Sequence, residues 1–287
     1  MLATVLTTVT AGPYTLRGVS LGGVYTSIAC PELGLLFDAG IPARSLATAD
    51  TILLSHGHVD HVGALPAVLG IRALHGKSKP PRVIMPAEIV DDLMAALNAL
   101  TKLQHWPLNI EAIGMRAGEE RELRGDLRVR AVQTFHPVPS LAYMIMRRIS
   151  KLKPEFHDLP GPEIAARRRA GEEMLVHEER AELAYVTDTL ISAFDHGPEL
   201  FDARVLVMEC TFLDGKKSLE GARAGCHIHL DEIIERAEKF TNETIVMMHV
   251  SQLYRPDEVA TILDRRVPPE LRKRIIPFVP DAVNWPG

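Results

Sequence analysis

The sequence predicts an α/β fold in which two sheets pack face to face and helices cover their outer sides, an αββα sandwich. Two observations carry that expectation. Short apolar runs bounded by Gly, Pro and Asp recur along the chain, with helical spacing between them. At 287 residues and 46% apolar content, the chain has enough hydrophobic material for a sizeable core.

The opening reads as a strand meander. Ala3–Val9 is rich in β-formers, Gly12-Pro13 turns the chain, and Leu16–Leu21 and Tyr25–Cys30 continue until Pro31-Glu32 turns into Leu35-Leu36-Phe37-Asp38. Ile52–Leu54 is a buried strand. Ala64–Leu74 has helical spacing, with Pro66 tolerated in its first turn. Arg82–Met85 forms a strand before the helix Ala87–Lys102, where Ile89, Leu93, Ala96 and Leu97 recur at three and four.

Glu120–Leu123 and Leu127–Phe135 pair across the Gly125-Asp126 turn, and Leu141–Met146 extends that sheet. Ala184–Val186, Arg204–Met208 and Ile245–Met248 are further short strands; Leu230–Phe240 and Pro256–Leu263 are helical. No linker or internal repeat divides the chain, so a single domain over 1–287 is expected.

Composition excludes several classes. No apolar run approaches the ~20 residues that span a bilayer, and Met1–Thr10 lacks a basic segment ahead of an apolar core, so a cytoplasmic enzyme without a membrane partner is expected. Cys30, Cys210 and Cys226 are scattered without a CxxC and read as small buried thiols in a reducing compartment rather than a disulfide framework or thiolate zinc site. A net charge of −5 gives no general attraction for nucleic acid, which would need a local patch.

The chemistry concentrates in Ser55-His56-Gly57-His58-Val59-Asp60-His61-Val62-Gly63. Imidazole and carboxylate at this density suit a borderline metal ion such as zinc, placed where a buried strand gives way to a loop. His56 and His58 alternate and can share one ion, whereas Asp60 and His61 open the next helix and aim at a second. His136, Asp188 and His249 each end a strand-like run and complete a seven-ligand set. His75, His105, His157, His177 and His196 have no partner at ligand spacing and read as surface histidines.

One segment breaks the pattern, an insertion at about 147–182. Arg147, Arg148, Lys151, Lys153, Arg167, Arg168 and Arg169 stand there against Glu155, Asp158 and Glu163 before the acidic Glu172-Glu173 begins. Such a run is commonly a solvated helix face. Between metal-ligand candidates it is also a candidate clamp for a phosphate backbone.

His56-x-His58-x-Asp60-His61, with His136, Asp188 and His249, resembles the metallo-β-lactamase superfamily. Glu209-Cys210-Thr211-Phe212, Cys226-His227-Ile228-His229 and His249-Val250-Ser251-Gln252-Leu253-Tyr254 resemble motifs of its tRNase Z branch, especially the short plant-type enzymes. The resemblance implies a metallo-β-lactamase αββα fold with a short inserted arm. His56, His58 and His136 would hold one Zn2+, Asp60, His61 and His249 the other, and Asp188 would bridge them; Mn2+ is the alternative metal.

Asp60, His227 and Glu209 would be catalytic, with His227 protonating the leaving oxygen and Glu209 holding and polarising the His227 imidazole. The implied activity is removal of the 3′ trailer from precursor tRNA by metal-activated water, leaving a 3′-OH on the tRNA, in a homodimer. A small-molecule phosphodiesterase or lactonase of the same fold is the alternative. Cys226, Thr187 and Leu253 depart from the family pattern, which has glycine at the first two positions and arginine at the third.

Overall fold

The computed structural model describes residues 6–282 and Trp285. The expected strand at Ala3–Val9 falls partly outside them; within them it starts at Thr7. The first sheet runs β1 (Thr7–Ala11), β2 (Tyr14–Leu21), β3 (Tyr25–Cys30), β4 (Leu35–Phe37), β5 (Thr51–Leu53), β6 (Arg82–Pro86) and β7 (Glu111–Met115), in that spatial order. The second holds β8 (Glu120–Glu122), β9 (Leu127–Gln133), β10 (Leu141–Leu152), β11 (Leu175–Val186), β12 (Val205–Glu209), β13 (Thr244–Met248) and β14 (Ile275–Pro277).

Both sheets follow one plan. In each, the first four strands pair antiparallel and the last three join in parallel. The parallel pairs need crossovers; β4 reaches β5 through a loop with one 3₁₀ turn at Leu46–Thr48, and helices supply the others. These are α1 (Val59–Val62), α2 (Leu65–Leu74) and α3 (Val90–Gln104) in the first half. The second half has α5 (Ser192–His196), α6 (Leu219–Ala224), α7 (Leu230–Glu235), α8 (Pro256–Arg266) and α9 (Pro269–Arg272), while α4 (Gly161–Arg169) lies in the connection between the antiparallel β10 and β11. A repeat invisible in the residues is therefore plain in the topology.

Side-chain alternation explains the layers. Val205 and Val207 point between the sheets, where they join Phe37, Leu53, Ile84, Tyr143, Ile145 and Tyr185; Leu206 and Met208 point outward against helical Phe194, Ile233, Val259 and Leu263. On the other side Ile52, Leu54, Val83 and Met85 meet Leu65, Val68, Leu69 and Leu97. Strands buried on both faces read as unbroken apolar runs rather than alternating ones, as Val205–Met208 does. The halves are stitched by Phe37 stacking on Tyr185 at 4.6 Å and by the Tyr143 hydroxyl donating to the Leu54 carbonyl at 2.7 Å.

The αββα expectation matches this architecture. β7, β14, α5, α6 and α9 were not expected, because each is short and carries little periodicity. The helix expected from Ala87 begins with a 3₁₀ turn to Ile89 before α3, and the one expected over Leu230–Phe240 breaks after Glu235. The largest difference is at Leu141–Met146 and Ala184–Val186. These strands run on to Leu152 and back from Leu175 as a hairpin, and the basic segment forms its outer part.

Candidate metal centre

The candidate ligands gather where strands of both sheets end. Leu53 closes β5, and the next residues carry His56 and His58; α1 then begins with Val59 and holds Asp60 and His61 in its single turn. His136 lies just beyond β9, Asp188 beyond β11 and His249 beyond β13. Strand ends converge because parallel strands share a direction, so one edge of the sandwich collects them.

Three overlapping groups form there. His56, His58, His136 and Asp188 can each offer a donor atom with all of these within 4.8 Å of one another, and so can Asp60, His61 and His249, and Asp188, His227 and His249. His58 Nδ1 faces His56 Nε2 at 3.1 Å and His136 Nε2 at 3.2 Å. Asp188 sits between the groups: its Oδ1 is 3.4 Å from His61 Nε2 and 3.2 Å from His249 Nε2, and its Oδ2 is 3.9 Å from His56 Nε2. All seven residues expected from the sequence are thus brought together.

The donor atoms are prepared for a cation. His61 Nε2 and His249 Nε2 are buried and have no hydrogen-bond partner among the described residues. Leaving a buried polar atom unpaired costs about 1–3 kcal/mol, so two aimed at one carboxylate oxygen mark a place where a metal fits. On each ring the other nitrogen is engaged. His61 Nδ1 meets Asp38 Oδ2 at 2.8 Å, and His249 Nδ1 meets the Thr211 hydroxyl at 3.1 Å. With Nδ1 engaged, Nε2 is the nitrogen left to face a cation in the cavity, the usual way an outer partner fixes a ligating imidazole.

Asp38 was not singled out from the sequence. It is fully buried and accepts from the Ser55 amide at 2.7 Å, the Ser55 hydroxyl at 2.9 Å and the Tyr185 hydroxyl at 2.6 Å, besides His61. The clue lay in a carboxylate ending the apolar run Leu35–Phe37. Asp38, Asp188 and His249 have φ of 56°, 39° and 59°, in the left-handed region that non-glycine residues rarely adopt. Such strain persists where surrounding bonds over-determine a conformation, as they do here.

Charge in the centre follows its surroundings. Burial pushes His56, His136 and His249 down, with Asp188 opposing it. Burial also opposes charge on His61, yet the Asp188 and Asp38 carboxylates hold its pKa up at about 9. Asp188 itself is depressed despite burial by the imidazoles of His249, His61 and His56. The Thr187 hydroxyl donates to Asp188 Oδ1 at 2.7 Å, a contact that glycine at this position could not make.

His227 lies at the edge of this cluster, its ring centroid 5.4 Å from that of His249 and its side chain 19% exposed. Its Nδ1 is 3.3 Å from Glu209 Oε1. Glu209 is fully buried and also accepts from the Thr189 amide (2.7 Å), the Thr211 hydroxyl (2.6 Å) and the Ile228 amide (3.1 Å). Burial works against charge on His227, but the Glu209 carboxylate raises its pKa to about 9. The ring can therefore carry a transferable proton at neutral pH. Cys226, with φ of 57°, makes the turn into this residue in a conformation that glycine would adopt without cost.

His229 has a different job. It caps α7, Nδ1 accepting from the Asp231 amide at 3.1 Å, while Nε2 contacts the Asp214 carbonyl at 3.1 Å. Leu253 is 50% exposed and Arg255 two residues on is paired with Asp257 at 2.6 Å.

The basic segment is less basic than its first half suggests. Over 147–182 the sequence holds eight cations and eight acids, because β11 brings Glu178, Glu179 and Glu182 back alongside β10. Arg147 pairs with Asp126 at 2.8 Å and Glu182 at 3.2 Å, Lys151 with Glu178 at 2.5 Å, and Arg167 with Glu163 at 2.7 Å. Among the described residues Arg148, Lys153, Arg168 and Arg169 form no ion pair. Arg167–Arg169 close α4 at the outer end of the hairpin, away from the metal centre along the strands.

Comparison with known proteins agrees with this geometry. The Beta-lactamase superfamily domain matches residues 33–250. tRNase Z TRZ1 of Arabidopsis thaliana is 36% identical over 264 residues, covering 91% of this chain and 94% of that protein. The chloroplastic tRNase Z TRZ2 of the same plant is 34% identical over 250 residues, covering 86% and 70%. The crystal structure of the short form of human tRNase Z shares the fold, with a TM-score of 0.53 at 14% identity over 98% of this chain and 95% of that one. By superfamily match and by near full-length likeness to the plant enzymes, the chain belongs to the tRNase Z family of the beta-lactamase superfamily.

Proposed function

We propose that the protein is a metal-dependent endoribonuclease that removes the 3′ trailer from precursor tRNA, leaving a 3′-OH on the tRNA. The observation that carries this reading is the Glu209–His227 pair at the edge of the His/Asp cluster, a buried carboxylate holding a partly exposed imidazole as a proton donor. His56, His58 and His136 would hold one ion, Asp60, His61 and His249 the other, and Asp188 both. Two Zn2+ or Mn2+ ions there would supply Lewis acidity and lower the pKa of water towards ~7.

The chain's own residues do the rest. Asp38 and Thr211 orient His61 and His249, and Thr187 steadies Asp188; Asp60 would complete the second ion's ligands. His227, held in its protonated form by Glu209, delivers a proton to the departing ribose 3′-oxygen, and the neutral ring keeps its Nδ1 contact with that carboxylate. Arg147, Arg148, Lys151, Lys153, Arg167, Arg168 and Arg169 belong to the arm that would meet the tRNA backbone, the unpaired ones contributing most. We further propose that 1–287 is one domain acting in the cytoplasm as a homodimer. Among the described residues no helix is long and apolar enough to cross a membrane.

The test is a precursor tRNA with a 3′ trailer, given zinc or manganese. A single cut near the discriminator base, yielding a 3′-OH and a 5′-phosphorylated trailer, is expected. No cut, while small phosphodiesters are hydrolysed, would overturn the tRNA assignment. A small-molecule phosphodiesterase or lactonase would then be favoured, a reading that the balanced charge of the arm supports. Salt separates the two as well, since RNA affinity falls steeply with ionic strength and lactonase activity does not.

A further inference from the structure

The first sheet carries a second concave site at the end opposite the metal centre. β5 starts at Thr51 and β6 at Arg82, and near those starts lie adjoining cavities of about 300 and 530 Å³. Both are bordered by Arg72, Gly76, Lys77, Ser78, Lys79 and Pro80. Arg82 and Arg124 line the larger, so five cations surround it against a single carboxylate, Asp50. This stands out in a chain of net charge −5.

Most of these cations are held by neutral partners. Arg124 donates to the Glu32 carbonyl at 2.7 Å, Arg82 to the Glu122 carbonyl at 3.0 Å, Lys77 to the Thr48 carbonyl at 2.6 Å, and Arg72 to the carbonyls of Ala47 and Ala49. A carbonyl fixes a cation in place without cancelling its charge. Asp50, 2.8 Å from Lys77 and 3.2 Å from Arg72, and Glu111, 3.8 Å from Arg82, are the opposing charges; Lys79 has no ion pair among the described residues.

Two details point to a built site. Arg72 is only 3% exposed, and its Nε is buried without a hydrogen-bond partner. Gly34, at φ +68°, leaves room for Arg124: a Cβ there would lie 2.9 Å from the guanidinium carbon. Next to the cations, Trp106 walls the smaller cavity together with Pro107 and is 60% exposed. An indole face beside a cationic pocket is the pairing that a base and its phosphate need.

We propose that this groove binds a nucleotide, with its base against Trp106 and its phosphates among Lys77, Lys79 and Arg124. The nucleotide is either free or part of an RNA chain. The inference is independent of the cleavage reaction.

The experiment follows Trp106 fluorescence in a Trp285→Phe background, which leaves one tryptophan of the two. ADP should quench it saturably, inorganic phosphate should compete, and adenosine should not bind. Lys79→Ala combined with Arg124→Ala should weaken ADP at least about tenfold, and Lys79→Ala alone, an exposed residue without an ion pair, should weaken it measurably. Competition by a mature tRNA supports an RNA-borne nucleotide; its absence supports a free one. No saturable quenching at millimolar ADP, or unchanged affinity in both lysine variants, overturns the proposal.

Discussion

The two halves of the molecule share a plan and use it for different ends. In each, the fourth strand ends in a buried aspartate with a left-handed backbone, Asp38 after β4 and Asp188 two residues after β11. Asp38 spends its oxygens on Ser55, Tyr185 and the outer nitrogen of His61. Asp188 instead faces the inner nitrogens of His61 and His249. Equal positions in a repeated topology thus give one carboxylate that orients a ligand and one that stands among the ligands.

The halves also differ at the connection between the third and fourth strands. β3 reaches β4 through the short turn Pro31–Gly34, whereas β10 and β11 lengthen into the arm. The lesson is that chemistry and substrate grip are added at loops and strand extensions, while the packed strands stay alike.

Exchanging the aspartates' chemistry should break this comparison most severely. Asp188→Ala is expected to abolish cleavage even in excess metal, because it removes the carboxylate both groups share. Asp38→Asn should instead weaken metal binding by about 10–100-fold, with activity restored by added zinc or manganese. Metal titration of both variants checks this; equal rescue of the two would show the positions to be equivalent.

His227→Ala should lower kcat by about 10²–10⁴-fold with little change in metal content. Glu209→Gln is expected to be milder and to shift the alkaline limb of the kcat profile to lower pH. The carboxylate that holds the imidazole pKa near 9 is gone, and burial then favours the neutral ring. The stability that His227 draws from Glu209 is present below its ordinary pKa of 6.5 and is lost as pH rises through about 9. Metal-free wild type and Glu209→Gln should therefore converge in urea midpoint at high pH.

Arg148, Lys153, Arg168 and Arg169 changed together to Ala should raise KM for precursor tRNA and flatten the log–log slope of its salt dependence by up to about 3, leaving small phosphodiesters untouched. The same change to the paired Arg147, Lys151 and Arg167 should do less. The smallest effect expected is on stability. Tyr143→Phe removes the bond to Leu54 that ties the sheets and should cost about 1–3 kcal/mol by leaving a buried carbonyl unpaired.

Much of this was legible in the residues because it is local. A ligand motif six residues long, and strands buried on both faces, announce themselves by density and by apolar runs. The partners that tune the site are not local: Asp38 lies 23 residues from His61 and Thr211 lies 38 from His249, and single Asp or Thr residues carry no pattern. The arm shows the same limit from the other side. Its cations cluster in sequence, but the acids that offset them arrive on the returning strand, so the charge run reads as basic until the hairpin closes.

The most direct test of the central claim compares wild type and His227→Ala on a trailer-bearing precursor tRNA, at matched metal content and across pH. One cut next to the discriminator base is expected, with a loss of about 10²–10⁴-fold in the variant and disappearance of the alkaline limb with it. Equal rates for the two proteins, or an alkaline limb that survives the substitution, would contradict it.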